Sequence, residues 1–69
     1  MKIDKEKLDN AMAEKGLFVR DICRRTGISE STMKRISSGA VSVDNITVVK
    51  IALVLNVMIQ DIVEGDSDD

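Results

Sequence analysis

Apolar residues recur at helical spacing in four stretches of the chain. Each stretch ends at a glycine or asparagine, and three of them begin after a residue suited to cap a helix. The first stretch runs from Asp4, whose side chain is suited to cap a helix, to Gly16. Within it, Leu8, Ala11 and Met12 share one face. We therefore predict a first helix between Asp4 and Gly16.

A second helix is predicted before Gly27, with a charged outer face. One buried stripe is expected at i, i+3, i+4 and i+7, formed by Val19, Ile22, Cys23 and Thr26. Cys23 is interpreted as a small buried apolar residue without a redox role. A third helix follows Ser29, a strong N-cap, and ends at Gly39; its apolar face consists of Met33 and Ile36.

The fourth helix is predicted between Asp44 as its N-cap and Asn56, which tolerates positive φ. Residues 46–59 are rich in Val and Ile, which alone favours a strand, but the caps and the core spacing favour a helix. The expected core positions are Val48, Val49, Ile51, Ala52 and Leu55. A fifth, short helical turn is predicted from Met58 to Val63.

Composition limits the function classes. The 69 residues suffice for one small domain, with 43% hydrophobic residues, no histidine, one cysteine and one aromatic residue, Phe18. An internal disulfide, an ordinary zinc site and the usual catalytic base are therefore excluded, so we predict no enzyme, no metal and no cofactor. Phe18 is expected to serve the core, which disfavours RNA binding by stacking.

Localisation follows from the same survey. No apolar run reaches about 18 residues, so no membrane span is predicted. The N-terminus is charged and unlike a signal peptide, which leads us to expect a cytoplasmic protein.

The charge is unevenly distributed. The net charge is −2, but residues 60–69 hold five acidic residues and no basic one, so residues 1–59 carry a net charge of +3. We predict a domain over residues 1–64 and an acidic disordered tail over residues 65–69. The basic residues concentrate between residues 17 and 39.

Two short helices joined by Thr26-Gly27-Ile28-Ser29 would form a helix-turn-helix. Residues 5–63 resemble the phage-repressor-like helix-turn-helix family, also called the xenobiotic-response-element type. The matching residues are Gly16-Leu17, Asp21-Ile22-Cys23, residues 27–36, Gly39, Lys50-Ile51-Ala52 and Leu55-Asn56-Val57. The resemblance implies an all-α, compact five-helix lambda-repressor-like DNA-binding domain, with the helix-turn-helix at helices 2 and 3.

The resemblance also implies that helix 3 docks in the major groove of double-stranded DNA. The expected base contacts are Ser29, Glu30, Ser31 and Lys34, and the expected phosphate or flanking contacts are Arg20, Thr32, Arg35 and Ser38. Simpler interpretations stay open for four of these residues: Ser29 as a cap alone, Glu30 as a partner of the helix dipole, and Lys34 and Arg35 as solvated charge.

Several residues depart from the family pattern and remove phosphate contacts. Phe18 and Val19 stand where a polar cap and glutamine are common, and Ala40 and Val41 where basic residues are common. Serines at 37 and 38 stand where an acidic and a basic residue are common. We therefore expect one monomer to bind DNA weakly, and this favours a homodimer that binds two half-sites.

The predicted dimer interface is apolar and centred on helix 4. It comprises Ile46, Leu53, Met58 and Ile59. The alternative is that these residues thicken a small core. The leading prediction is a sequence-specific transcriptional regulator, a repressor acting by promoter occlusion, that binds no small molecule. The second hypothesis is a helix-turn-helix-derived protein-interaction module, such as an anti-repressor or an antitoxin-like partner.

Overall fold

The chain folds into four α-helices followed by a single 3₁₀ turn. In the computed structural model, which describes residues 1–38 and 42–64, the helices are α1 (Lys5–Lys15), α2 (Val19–Thr26), α3 (Glu30–Ser37) and α4 (Asn45–Leu55). The predicted fifth helix is only the 3₁₀ turn Ile59–Asp61. The predicted short turn from Met58 to Val63 is thus present as a 3₁₀ turn, and the described residues form four α-helices. None of the described helices combines the length and apolar character needed to cross a membrane.

The predicted N-caps are confirmed. The Asp4 carboxylate accepts hydrogen bonds from two N–H groups of the first turn of α1, and the Ser29 hydroxyl accepts one from the Thr32 N–H. The Asp44 carboxylate accepts one from the Thr47 N–H at 3.3 Å, and the hydrogen bonding from Thr47 lowers the pKa of Asp44. These bonds satisfy N–H groups that have no partner inside the helix.

The predicted helix ends are confirmed where they are described. Gly16 and Gly27 have φ values of 68° and 81°, and Asn56 has a φ of 58°. After α4, the Val57 N–H donates to the Ala52 carbonyl at 3.0 Å, which closes the last turn as in a Schellman motif. Residues 45–55 are thus helical despite their β-branched composition. The predicted stop at Gly39 and the tail over 65–69 lie outside the described residues.

One apolar core joins the four helices. α3 packs against α1 and α2, whereas α4 packs against α1, α2 and the 3₁₀ turn. The buried residues are Ile3, Leu8, Ala11, Met12, Ile22, Met33, Ile36, Val43, Val48, Ile51, Ala52, Leu55 and Ile62.

Three predictions about burial were wrong. Only Ile22 of the predicted α2 stripe is fully buried, while Cys23 lies half-buried at the edge of the core. Val49 is exposed because it lies on the outer side of α4, and Phe18 is exposed because it precedes α2 rather than lying on its inner face.

The N-terminal segment ties together two distant parts of the chain. The Met1 amino group donates to the Val43 carbonyl at 2.9 Å, and the Val43 N–H donates to the Met1 carbonyl at 2.6 Å. On the other side, the Glu64 N–H donates to the Lys2 carbonyl at 2.9 Å. Ile3 is buried between these contacts. The start of the chain therefore holds the segment before α4 next to the end of the domain.

Candidate nucleic-acid interface

A tight turn sets the position of α3 relative to α2. Gly27 ends α2 with positive φ, and the Thr26 hydroxyl donates to the Ile22 carbonyl at 2.6 Å. The same hydroxyl accepts from the Ile28 N–H at 3.2 Å, so one side chain bridges the last turn of α2 and the connection. This turn fixes how α3 leaves α2, and the half-buried Ile28 packs it against the core.

Burial on one side of α3 determines what the other side displays. Met33 and Ile36 are buried, which fixes the rotation of the helix about its axis. All eight side chains predicted to contact DNA are exposed: Arg20, Ser29, Glu30, Ser31, Thr32, Lys34, Arg35 and Ser38. The DNA contacts assigned to these eight residues stay predictions.

The exposed side of α3 has two flanks. Glu30 and Lys34 line a shallow depression together with Phe18, Val19 and Arg20 at the start of α2, and we call it the α2–α3 depression. On the opposite flank, Thr32 and Arg35 line a second depression, which faces residues 42–47. The predicted phosphate-contact residues Arg20 and Arg35 therefore lie on opposite sides of α3.

Three of the predicted contact residues have hydroxyl groups that form hydrogen bonds within the protein. The Ser29 hydroxyl accepts from the Thr32 N–H at 3.2 Å and donates to the Thr32 hydroxyl at 2.9 Å. Ser29 thus caps α3, as its simpler interpretation predicted, and the Thr32 proton stays available for another acceptor. The Ser38 hydroxyl donates to the Arg35 carbonyl at 2.6 Å, so it has no second proton for a phosphate.

The cations of this region have no acidic partner within bonding distance. Across residues 1–38 and 42–64, the one ion pair joins Lys5 and Asp9 on α1, at 2.9 Å. Arg20, Lys34 and Arg35 are therefore available to pair with an external anion. Residues 1–38 and 42–64 contain no cluster of acidic or cysteine side chains suited to hold a metal ion.

Cys23 lies half-buried beside this surface. Burial raises the pKa of the Cys23 thiol, and the negative charge of Glu30 raises it further. The thiol therefore stays protonated at neutral pH, which fits a packing role.

Comparison with known families decides the identity of this arrangement. Residues 7–68 match the family model for the Cro/C1-type HTH DNA-binding domain. The chain belongs to this family. Neither a curated protein nor a solved structure matches the chain. Membership in the Cro/C1-type family confirms the resemblance to phage repressors and indicates a DNA-binding regulator.

This Cro/C1-type domain also exposes apolar side chains on α4 and just after it. Ile46, Val49, Leu53 and Met58 are 66%, 39%, 73% and 62% exposed, and we call these four residues the α4 surface. Ile46, Leu53 and Met58 were predicted there, whereas Val49 was assigned to the core. Ile59, also predicted for the interface, is half-buried and packs against the core. At Ile59 the structure thus favours the alternative of a thicker core.

Sequence reasoning missed one part of the site. Phe18 was assigned to the core, yet it lies in the α2–α3 depression and its side chain is 65% exposed. Its backbone N–H donates to the Asp21 carboxylate at 2.8 Å, so Asp21 helps to fix the start of α2. The sequence did offer a signal for this exposure. Phe18 stands at the N-cap position of α2, where a short polar residue at the surface is usual.

The capping role of Ser29 can be tested against Ser31, a serine of α3 that does not cap the helix. Ser29→Ala removes both hydrogen bonds to Thr32 and is expected to lower the free energy of unfolding by about 1 kcal/mol. Ser31→Ala, on the exposed side of the same helix, is expected to change it by less than about 0.5 kcal/mol. Urea unfolding followed by circular dichroism measures both. Equal stability of the two variants would contradict the capping role.

Proposed function

We propose that this Cro/C1-type protein is a sequence-specific transcriptional regulator, acting as a repressor by occupying a promoter. Helices α2 and α3 form the helix-turn-helix, and α3 enters the major groove. The observation that carries the proposal is the division of α3 between buried Met33 and Ile36 and an exposed polar side. The major groove admits one α-helix whose N-terminal residues reach base edges.

The base contacts are assigned by side-chain chemistry. Lys34 donates to guanine O6 and N7, and Ser31 is suited to several bases. Glu30 accepts from cytosine N4 where that base lies towards α2, the flank on which Glu30 is found. Ser29 contributes less, because its proton is committed to Thr32.

The phosphate contacts frame α3 on both flanks. Arg20 anchors one strand from the start of α2, and Arg35 and Thr32 anchor the other from the second depression. Ser38 contacts phosphate only if its bond to the Arg35 carbonyl opens. With so few cations, each monomer neutralises few phosphates, so its affinity and its salt dependence are low.

A homodimer compensates for this weak monomer. Ile46, Val49 and Leu53 follow one another at i, i+3 and i+7, the spacing of a helix-pairing seam. We propose that the α4 surface packs against the same surface of a second copy around a two-fold axis, with Met58 at its edge. Two copies of α3 then read two half-sites about 10 bp apart.

The α4 surface also suits the second hypothesis, a protein-interaction module whose apolar side binds a different protein. The net charge of −2 favours this alternative over strong DNA binding. The two functions differ in a simple observable, since the module shows no salt-dependent affinity for any duplex.

Lys34 provides the test of base reading. On a duplex selected by the protein, Lys34→Ala is expected to weaken binding about tenfold or more, and on random duplex less than about threefold. Lys15→Ala removes the same charge from an exposed position in the last turn of α1 and is the matched control. Fluorescence anisotropy at fixed salt gives both affinities. An equal loss of affinity for both duplexes would show that Lys34 contacts phosphate and does not read a base.

Leu53 provides the test of the dimer. Leu53→Glu places a charge in the middle of the α4 surface and is expected to yield monomers with weakened binding to the selected duplex. Asn10→Glu adds the same charge on exposed α1 and should leave both properties unchanged. Sedimentation equilibrium gives the mass. A dimeric Leu53→Glu protein, or a monomeric parent protein, would contradict the proposed interface.

A further inference from the structure

The chain leaves its one aromatic ring in water. Phe18 is 65% exposed and lies immediately before α2. The hydrogen bond that fixes this position uses the Phe18 backbone N–H and the Asp21 carboxylate, not the ring. The ring therefore adds little to the stability of the fold, and its apolar surface is available to a ligand.

The ring lies on the proposed DNA-binding side of the molecule. It lines the α2–α3 depression with Arg20, Glu30 and Lys34. The exposed residues of the α4 surface do not line this depression. A partner that contacts Lys34 along the outside of α3 must therefore approach Phe18 as well.

The chemistry of the ring restricts what it can recognise there. A phenyl group donates no hydrogen bond, and α2 has no side-chain cap, so Phe18 does not replace a polar phosphate contact. Arg20 and Lys34 lie beside it and draw a polyanion towards the depression. On the base edges of the major groove, the apolar group that a phenyl ring can contact is the 5-methyl group of thymine.

We propose that Phe18 is a specificity-determining residue that packs on the 5-methyl group of a thymine next to the base pair read by Lys34. This inference rests on the proposed function, because it requires α3 to lie in the major groove. It adds a base preference carried by α2 to those carried by α3.

The test removes the methyl group from the DNA and the ring from the protein. Each thymine of the selected duplex is replaced singly by deoxyuridine, which pairs identically but lacks the methyl group. The parent protein is expected to lose affinity about fourfold at one thymine, the effect of one buried methyl group. Phe18→Ala is expected to bind the unsubstituted duplex more weakly and to be insensitive to deoxyuridine at that thymine.

Phe18→Leu serves as the matched control, because it keeps an apolar side chain and should retain the sensitivity at the same thymine. Thermal unfolding of both variants checks that the fold is unchanged. If the parent protein selects a duplex but Phe18→Ala keeps the same response to every deoxyuridine, the inference is wrong and the proposed function stands. If Phe18→Ala weakens all duplexes equally, the ring contacts the sugar–phosphate backbone, which also overturns it. If no duplex is selected, the proposed function fails and the inference fails with it.

Discussion

The formation of α3 and its rotation about the helix axis depend on the burial of Met33 and Ile36. A helix of eight residues is unstable on its own, so it exists here because these two side chains pack into the core. Burial of each contributes about 1.5–3 kcal/mol, and their positions fix the rotation of the helix. Every exposed side chain of α3 then has a determined direction, including Lys34 on the flank of α2 and Arg35 on the opposite flank.

The remaining helices hold α3 in this orientation and keep its exposed polar side apart from the α4 surface. α3 packs on α1 and α2, and α4 packs on the same two helices and on the 3₁₀ turn. The exposed polar side of α3 and the apolar α4 surface therefore belong to different elements. This separation is what the proposed account requires, since one surface reads DNA while the other joins a second copy of the chain.

The helices could be predicted from sequence because their boundaries are chemically local. Asp4, Ser29 and Asp44 cap the helices that follow them, and Gly16 and Asn56 provide the positive φ that ends two of these helices, α1 and α4. Such signals override β-propensity in α4, where tertiary packing and both caps favour the helix.

The parts that could not be predicted involve contacts between distant residues. The pairing of residues 1–4 with residues 42–43 and 62–64 uses backbone hydrogen bonds, which leave no side-chain pattern. Periodicity also assigned Val49 to the core, although the described neighbours of α4 cover only its other side. Phe18 was missed because an aromatic residue in a small domain normally fills the core. At the candidate site, the residue types of α3 predicted which side of the helix is exposed. Which exposed side chain lies on which flank became clear only from the packing of α3 against α2.

Sequence-specific binding by a homodimer is tested by selection from a random duplex library with the purified full chain, at low and at moderate salt. We expect enrichment of a two-fold-symmetric site whose half-sites lie about one helical turn apart. Enrichment of one short unpaired site would contradict the homodimer. No enrichment at either salt concentration would contradict sequence-specific DNA binding and favour the protein-interaction module.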